Sequence, residues 1–241
     1  MSRVLIVTDI HGNRDALDAV LADAGAHDRV WCLGDSVGYG PEPAACLAWV
    51  RDHCEIVLSG NHDYAVFDPA VVENFNPNAA AAAAWTRAQL SAADVQYLRS
   101  LPSIIEGEGV TLAHGSPVDP IWTYILSVID AHDAFASFTG LCCFVGHTHV
   151  AACYVQDGDS TRRLPVMNDV PFAISGARSI INPGSVGQPR DRDPRAAYLW
   201  YDPDAATATW KRVPYAIERT QEKIRAAGLP ERLAARLALG Q

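Results

Sequence analysis

The chain lacks any Cys-x-x-Cys pair, any block of like charge, any repeat at solenoid period and any long Pro/Ser/Gly-rich tract. Each absence narrows the reading. Without paired spacing, the six cysteines are expected to be reduced core residues, and Cys32, Cys142, Cys143 and Cys153 fall inside apolar stretches where a thiol behaves as a small hydrophobe. Lys and Arg number 19 against 28 Asp and Glu, a net charge of −9. That balance argues against a broad nucleic-acid or membrane surface, because binding a phosphate backbone needs clustered cations. The opening apolar run Val4-Leu5-Ile6-Val7, behind Met1-Ser2-Arg3, is too short for a signal peptide, so a cytoplasmic location is expected. With no linker to divide them, the 241 residues read as a single domain, 1–241, able to bury a sizeable core, with C-terminal helices from about residue 216.

What the chain does contain is an ordered series of polar residues, nearly all closing apolar runs. Asp9 and His11 come first, then Gly34-Asp35, Gly60-Asn61-His62-Asp63, His114-Gly115 and Gly146-His147-Thr148-His149. A strand that ends in a Gly-rich bend puts its last polar side chains at one edge of a sheet, where open α/β folds form ligand crevices. Five such edges brought together make a cluster of His, Asp and Asn. That donor set suits borderline transition metals better than calcium, which prefers oxygen, or structural zinc, which usually recruits cysteine. Taken singly, each residue is an ordinary turn or cap residue. Turn chemistry does not explain why five of the eight histidines fall in this order. The other three, His27, His53 and His132, sit in helix-end sequence and read as structural.

The periodicity predicts strands over 4–7, 30–33, 56–58, 110–113, 142–145, 151–155, 179–181, 197–201 and 207–213. Asn13 can cap a helix through about residue 24, stopped by Gly25, and a second helix spans about 41–53. An alanine-rich helix covers 78–90, and Ser91 with Asp94 forms a capping box for the next. The tail reads as two helices broken at Gly228-Leu229-Pro230 and packed on the outside. A β-α-β-α opening followed by strand-rich sequence suggests two packed sheets flanked by helices.

In order and identity the polar series resembles the calcineurin-like metallophosphoesterases, whose pattern runs Asp-x-His, Gly-Asp, Gly-Asn-His-Asp/Glu, His, Gly-His-x-His. The resemblance spans Asp9 to His149 and continues through Ile181-Asn182-Pro183-Gly184-Ser185. It implies a four-layer α/β/β/α sandwich of two mixed sheets and a dinuclear metal-dependent phosphoester hydrolase. By the same resemblance Asp9, His11 and His149 hold one metal, Asn61, His114 and His147 the second, and Asp35 bridges the two. The ions implied are two divalent transition metals, manganese foremost, with iron, nickel, zinc or magnesium as alternatives. A metal-bridging hydroxide would then attack phosphorus in line. Asn61 would supply a neutral oxygen, and His62 would act as general acid to the leaving group. Net negative charge does not oppose a small phosphorylated substrate, since bound cations dominate the local field.

Two departures bear on the substrate. Protein phosphatases and symmetric diadenosine tetraphosphatases extend the second motif to Gly-Asp-x-x-Asp-Arg-Gly, whereas this chain reads Gly34-Asp35-Ser36-Val37-Gly38-Tyr39-Gly40. The Asp that steadies the acid histidine and the Arg that grips phosphate are both missing. Asp63 is adjacent to His62, but an extended segment would point it the other way. The loss favours the smaller bacterial phosphodiesterase-like branch, acting on a nucleotide or other small phosphodiester. Diadenosine polyphosphate hydrolysis or phosphomonoesterase action is the alternative. A catalytically silent interaction module is a third reading, opposed by His62 and the complete ligand set. Trp122 and Tyr124, in a Pro-rich loop after His114, are candidates to stack on a nucleobase. Arg190 and Arg195, in a charge-alternating stretch, are candidate phosphate contacts, and Asn182 a support for the metal site. No membrane association is expected, and oligomeric state is not indicated.

Overall fold

The computed structural model describes residues 3–107 and 109–241; Met1 and Ser2, part of the lead-in to the first apolar run, and Glu108 lie outside the described residues. Strand β1 (Val4–Val7) leads through helix α1 (Arg14–Ala24) to β2 (Arg29–Cys32), and α2 (Pro43–His53) returns the chain to β3 (Ile56–Val57). Helix α3 (Asn61–Phe67), a 3₁₀ turn (Pro69–Asn74), α4 (Pro77–Gln89) and α5 (Ala92–Ser100) follow. Next come β4 (Ile104–Gly107), β5 (Val110–Ala113), α6 (Val128–Phe135), β6 (Cys142–Phe144), β7 (Ala152–Asp157) and β8 (Ser160–Leu164). The chain closes with β9 (Phe172–Ala173), β10 (Arg178–Asn182), β11 (Ala196–Asp202), β12 (Thr207–Val213), α7 (Ile217–Ala226), α8 (Glu231–Ala235) and a 3₁₀ turn (Arg236–Leu239).

Two mixed six-stranded sheets result, ordered β3-β2-β1-β11-β12-β9 and β4-β5-β6-β10-β7-β8. In the first, β1, β2 and β3 run parallel and β11 pairs antiparallel with β1; in the second, β5, β6 and β10 run parallel. The period-two alternation of β1 explains the layering. Val4 and Ile6 face the other sheet, joining Trp31, Leu33, Leu112, Phe144 and Ile181 in the inter-sheet core. Leu5 and Val7 face outward onto Ala16, Leu17 and Val20 of α1. A strand buried on both faces needs a continuous apolar run, which is why β1 reads Val-Leu-Ile-Val. On the far side, Ala131, Ala134 and Phe135 of α6 cover Cys143, Tyr154 and Ile180 of the second sheet. The order is therefore helix, sheet, sheet, helix.

Local chemistry sets the element ends. The Asn13 side chain accepts from Ala16 N (3.1 Å), Gly25 with φ 65° ends α1, and Ser91 and Asp94 form the capping box of α5. Sequence periodicity misses α3 and α6 and the edge strands β4, β8 and β9. Helix α6 carries its own signal, a capping box of Ser127 and Asp130. Strand β8 is mostly polar and half-exposed, so it shows no apolar alternation. The tail helices lie on the outside, but Ile224, Leu233 and Leu237 pack with Tyr39, Ala79 and Ala82 beside the metal-ligand loops. Cys32, Cys46, Cys142, Cys143 and Cys153 are buried free thiols, and Cys54 is free and half-buried. Among the described residues no helix is long and apolar enough to cross a membrane.

Candidate metal centre

The polar series is gathered at the C-terminal ends of the parallel strands. Main-chain bonds extend the β1–β2 ladder past the strands: Leu33 N donates to Val7 O (2.9 Å), Asp9 N to Gly34 O (3.0 Å) and His11 N to Asp35 O (2.9 Å). Gly146 N donates to His114 O (2.7 Å), Gly187 N to Asp9 O (2.9 Å) and His147 N to Asp9 Oδ2 (3.1 Å), the last tying the two sheets together. These bonds hold an unusual backbone. Asp9, His11, Asp35, His147 and His149 all have φ between 50° and 65°. That left-handed region costs a non-glycine residue about 1–3 kcal/mol and persists only where the surroundings impose it. Five such residues in one cluster mark where the fold stores strain to aim side chains.

Each of the four candidate ligand histidines has one ring nitrogen committed outward. His11 Nδ1 faces Val37 O (3.0 Å), His114 Nδ1 faces Leu33 O (2.9 Å), His149 Nδ1 faces Gln188 O (2.6 Å) and His147 Nε2 faces Trp122 O (3.2 Å). Carbonyls only accept, so each of these nitrogens is the N–H donor and the other nitrogen of each ring presents a lone pair inward. The inward lone pairs face one another: His11 Nε2 and His149 Nε2 are 3.1 Å apart, and His114 Nε2 and His147 Nδ1 are 3.2 Å apart. The carboxylates repeat the pattern. Asp9 Oδ2 accepts from Thr8 Oγ1 (2.8 Å), and Asp35 Oδ1 accepts from His62 N (2.8 Å). Asp9 Oδ1 and Asp35 Oδ2 are buried with no hydrogen-bond donor among the described residues.

Acceptors converging this closely favour cations between them. Ligand atoms of Asp9, His11, Asp35 and His149 lie within 4.8 Å of one another, as do those of Asp35, His114 and His147. Asp35 Oδ2 belongs to both groups, 3.4 Å from His11 Nε2 and 3.5 Å from His114 Nε2. Asn61 Oδ1 joins the second group, 3.3 Å from His114 Nε2. The donor set therefore fits two cations with the Asp35 carboxylate between them.

Electrostatics agree. Burial works to raise both carboxyls, yet His149 holds Asp9, and His114 holds Asp35, well below the usual carboxylate range. Burial pushes His11 well down, His147 to about 3, and His149 down with Arg190 adding to it. His114 alone rises, to about 9: burial opposes the shift, but the Asp35 charge outweighs it. The cluster demands positive charge at its centre.

His62 lies on the pocket floor beside this cluster, and the structure changes the expectation for its surroundings. The segment is helical, not extended, because Asn61 opens α3. Asp63 does not reach the His62 ring; it accepts from Gly60 N (3.0 Å), Ser36 N (3.3 Å) and Val37 N (3.2 Å), capping α3 and binding it to the loop after β2. Burial, with Asp35 second, pushes the Asp63 carboxyl up to about 7. His62 is packed instead by rings, with centroids of Tyr39 at 4.2 Å, Phe75 at 4.9 Å and His11 at 4.9 Å. Its Nδ1 is buried with no partner among the described residues, and burial pushes the ring down to about 4. Gly38 explains the missing Asp. Its φ is 92°, and a Cβ there would lie 2.6 Å from His62 Nδ1, so the ring occupies the space a side chain would need. Tyr39 and Phe75 are wall residues that sequence reasoning missed, with Asn74, Asn76 and Ala79; Phe75 carries no motif signal at all.

A cavity of about 220 Å³ opens over the ligands, walled by Tyr39, Phe75, Trp122, Tyr124 and Arg190. Tyr124 stacks on His147 (3.8 Å, 10°), so one of its faces is committed to a ligand ring, not free for a base. Trp122 meets Tyr64 edge-on at 5.8 Å. Arg190 is steadied by Gln188 Oε1 (2.8 Å from NH2). Arg195 departs from the expectation: its guanidinium is engaged bidentately by Asp193 (2.7 and 3.0 Å) and it does not line the cavity. Proximity along the chain put it beside Arg190; the local ion pair turned it away. Asn182 Nδ2 donates to Gly146 O (2.6 Å) and Thr148 Oγ1 (3.1 Å), bracing the loop that carries His147 and His149.

Residues 2–205 match the model of the calcineurin-like phosphoesterase superfamily domain. The chain belongs to this superfamily. It is 36% identical over 247 residues to an uncharacterized protein from Methanocaldococcus jannaschii, covering 100% of this chain and 99% of that one. The crystal structure of a metallophosphoesterase from Sphaerobacter thermophilus superposes with a TM-score of 0.91 at 45% identity, covering 100% and 99% of the two chains. A hypothetical protein from Pyrococcus horikoshii shares the fold, with a TM-score of 0.80 at 20% identity over 100% and 99%. As a calcineurin-like phosphoesterase the protein belongs to a dinuclear-metal-dependent superfamily, and the Asp/His cluster is where this chain would hold its ions.

Proposed function

We propose that the protein is a phosphodiesterase acting on a nucleotide or another small phosphodiester. The observation that carries this reading is the composition of the cavity over the ligands: four aromatic rings, the neutral side chains of Asn74 and Asn76, and a single cationic side chain, Arg190. A phosphomonoester arrives as a dianion and favours several cationic side chains around it, whereas a diester brings one charge and two organic arms. One arginine among aromatic rings and neutral amides suits the diester.

When bound, two divalent cations supply Lewis acidity and lower the pKa of water at the site. Asp9, His11, Asp35 and His149 would hold one, and Asp35, Asn61, His114 and His147 the other. Asp35 turns one oxygen to both groups, while the His62 N–H anchors the other. Asn61 adds an oxygen without adding negative charge. The Arg190 guanidinium neutralises a non-bridging phosphate oxygen. His62, on the pocket floor but outside the ligand set, delivers a proton to the departing oxygen once the negative charge of a bound phosphate offsets the burial that holds the free ring down to about 4, and the rings of Tyr39 and Phe75 fix its plane. The mixed Asp/His/Asn donor set accepts divalent transition metals, with manganese our first candidate, and the free buried thiols fit a reducing, cytoplasmic setting.

The test is a phosphoester panel on protein stripped of metal and reloaded with Mn, Fe, Ni, Zn or Mg. Bis-p-nitrophenyl phosphate should be hydrolysed faster than p-nitrophenyl phosphate with every ion that supports turnover. The reverse preference would replace this reading with a phosphomonoesterase.

A further inference from the structure

Beside the pocket over the ligands lies a second, larger cavity of about 410 Å³, which shares Tyr39 and Asn76 with it. Its remaining wall is Pro77 and Asn78 at the start of α4, Leu233 of α8, and two arginines, Arg232 and Arg236, four residues apart in the tail. No carboxylate lines it. The tail pairs its other arginines with acids, Arg219 with Asp15 (3.4 Å) and Arg225 with Glu231 (2.7 Å). Among the described residues no Asp or Glu side chain pairs with Arg232 or Arg236; Arg236 Nε donates to an oxygen of the last residue, Gln241, which leaves the rest of its guanidinium and that of Arg232 facing the cavity. In a chain of net charge −9, two cations left side by side are a local reversal.

The reversal continues toward the metal centre. Arg190, in the first pocket, lies over the Tyr39 ring (5.7 Å), and Arg190 and Arg236 both act on the Tyr39 hydroxyl. Burial and then the like charges of Arg190 and Arg232 pull Arg236 down to about 10, so the cluster is held together against its own repulsion. The first amides of α4 are already taken by Asn76 Oδ1, which leaves the arginines as the source of positive charge. Guanidinium forks match phosphate oxygens in pairs. The tail that supplies both forks lies beyond the family-matched segment, which ends at residue 205.

We propose that the Arg232/Arg236 cavity is a subsite for a second phosphoryl group of the substrate, so that the preferred substrate is a small phosphodiester bearing a further phosphate on one arm. This rests on the phosphodiesterase reading for its catalytic consequence but not for its binding consequence. The decisive pair of substrates is thymidine 5′-(p-nitrophenyl phosphate) with and without a 3′-phosphate, which share a leaving group and differ by one phosphoryl. The metal-loaded protein should show a kcat/KM about tenfold higher for the compound with the extra phosphate, through KM, and R232A/R236A should erase that ratio. Arg232→Glu, at an exposed position, removes no packing and should erase it too.

Calorimetry on the same metal-loaded protein with thymidine 3′,5′-bisphosphate, thymidine 5′-diphosphate and thymidine 5′-monophosphate reads binding without turnover. Tighter binding of the 3′,5′-bisphosphate than of the monophosphate, lost in the variants, supports a sugar-spaced phosphate. The same pattern for the 5′-diphosphate supports a directly linked one. Absence of hydrolysis with this binding pattern intact would sink the phosphodiesterase reading and leave the subsite standing. Hydrolysis and binding that ignore the extra phosphate, in wild type and variants alike, overturn the subsite.

Discussion

The floor of the site and its rim follow different rules. Floor residues Asp9, Asp35, His114 and His147 each lie just past the end of their own strand, held by main-chain bonds and, for the histidines, one ring nitrogen, with their remaining ligand atoms turned inward. Rim residues come from elsewhere: Tyr39 from the loop before α2, Phe75 from the approach to α4, Trp122 and Tyr124 from the loop before α6, Arg190 from the loop before β11, and Arg232 and Arg236 from the tail. The floor is rigid and strained; the rim is held by ring stacking and a few side-chain bonds. The difference separates metal chemistry from substrate choice, because the rim can change without moving a ligand oxygen. Tyr124, stacked on His147, is the point where the two touch.

The largest effect should come from the floor. Asp35→Ala removes the one oxygen that faces both ligand groups, so bound metal should fall below two ions per chain and activity by at least about 10³-fold. Elemental analysis of variant protein never exposed to chelator checks this; two retained ions would show that Asp35 does not bridge. His62→Ala should keep both ions yet lose about 10²- to 10⁴-fold on esters with alkoxide leaving groups, and far less on p-nitrophenyl esters, whose leaving group departs unprotonated. Equal losses on both classes would assign His62 to holding the phosphate instead.

Asn182→Ala should weaken metal affinity about 10- to 100-fold, because the Gly146–Thr148 loop loses two of its braces. Competition against a metallochromic chelator reads this directly, and an unchanged affinity would mean the strained loop holds itself. The smallest effects belong to the rim. Trp122→Ala should raise KM for nucleotide esters about tenfold while sparing bis-p-nitrophenyl phosphate. Tyr124→Ala should depress both, since its ring also positions His147. If Tyr124→Ala discriminates as Trp122→Ala does, floor and rim are uncoupled even there.

Much of this floor is legible in the residues alone. Asp9, Asp35, His114 and His147 follow apolar runs, and a run that must be buried in a sheet delivers its last polar side chain to the sheet edge. Asn13, Gly25 and the Ser91–Asp94 box likewise act within a few residues, so the ends they set are readable. Local pattern misleads where tertiary contact reassigns a side chain. Asp63 follows His62 in the chain but caps α3, and His62 is oriented by Tyr39 and Phe75, distant in sequence. Arg190 and Arg195 look equivalent in a string of alternating charges, yet Asp193 captures only one of them.

The order of residues along the chain already specifies which side chains can bind metal and in what order the strands present them, because burial periodicity and capping are short-range and each ligand travels with its own strand. Packing in three dimensions is what turns Asp35 Oδ2 to both ligand groups, fills the space above Gly38 with the His62 ring, and sets two arginines of the tail next to the pocket. Those outcomes depend on how two sheets pack and where loops of unrelated register meet, and no period along the chain encodes a distance across it.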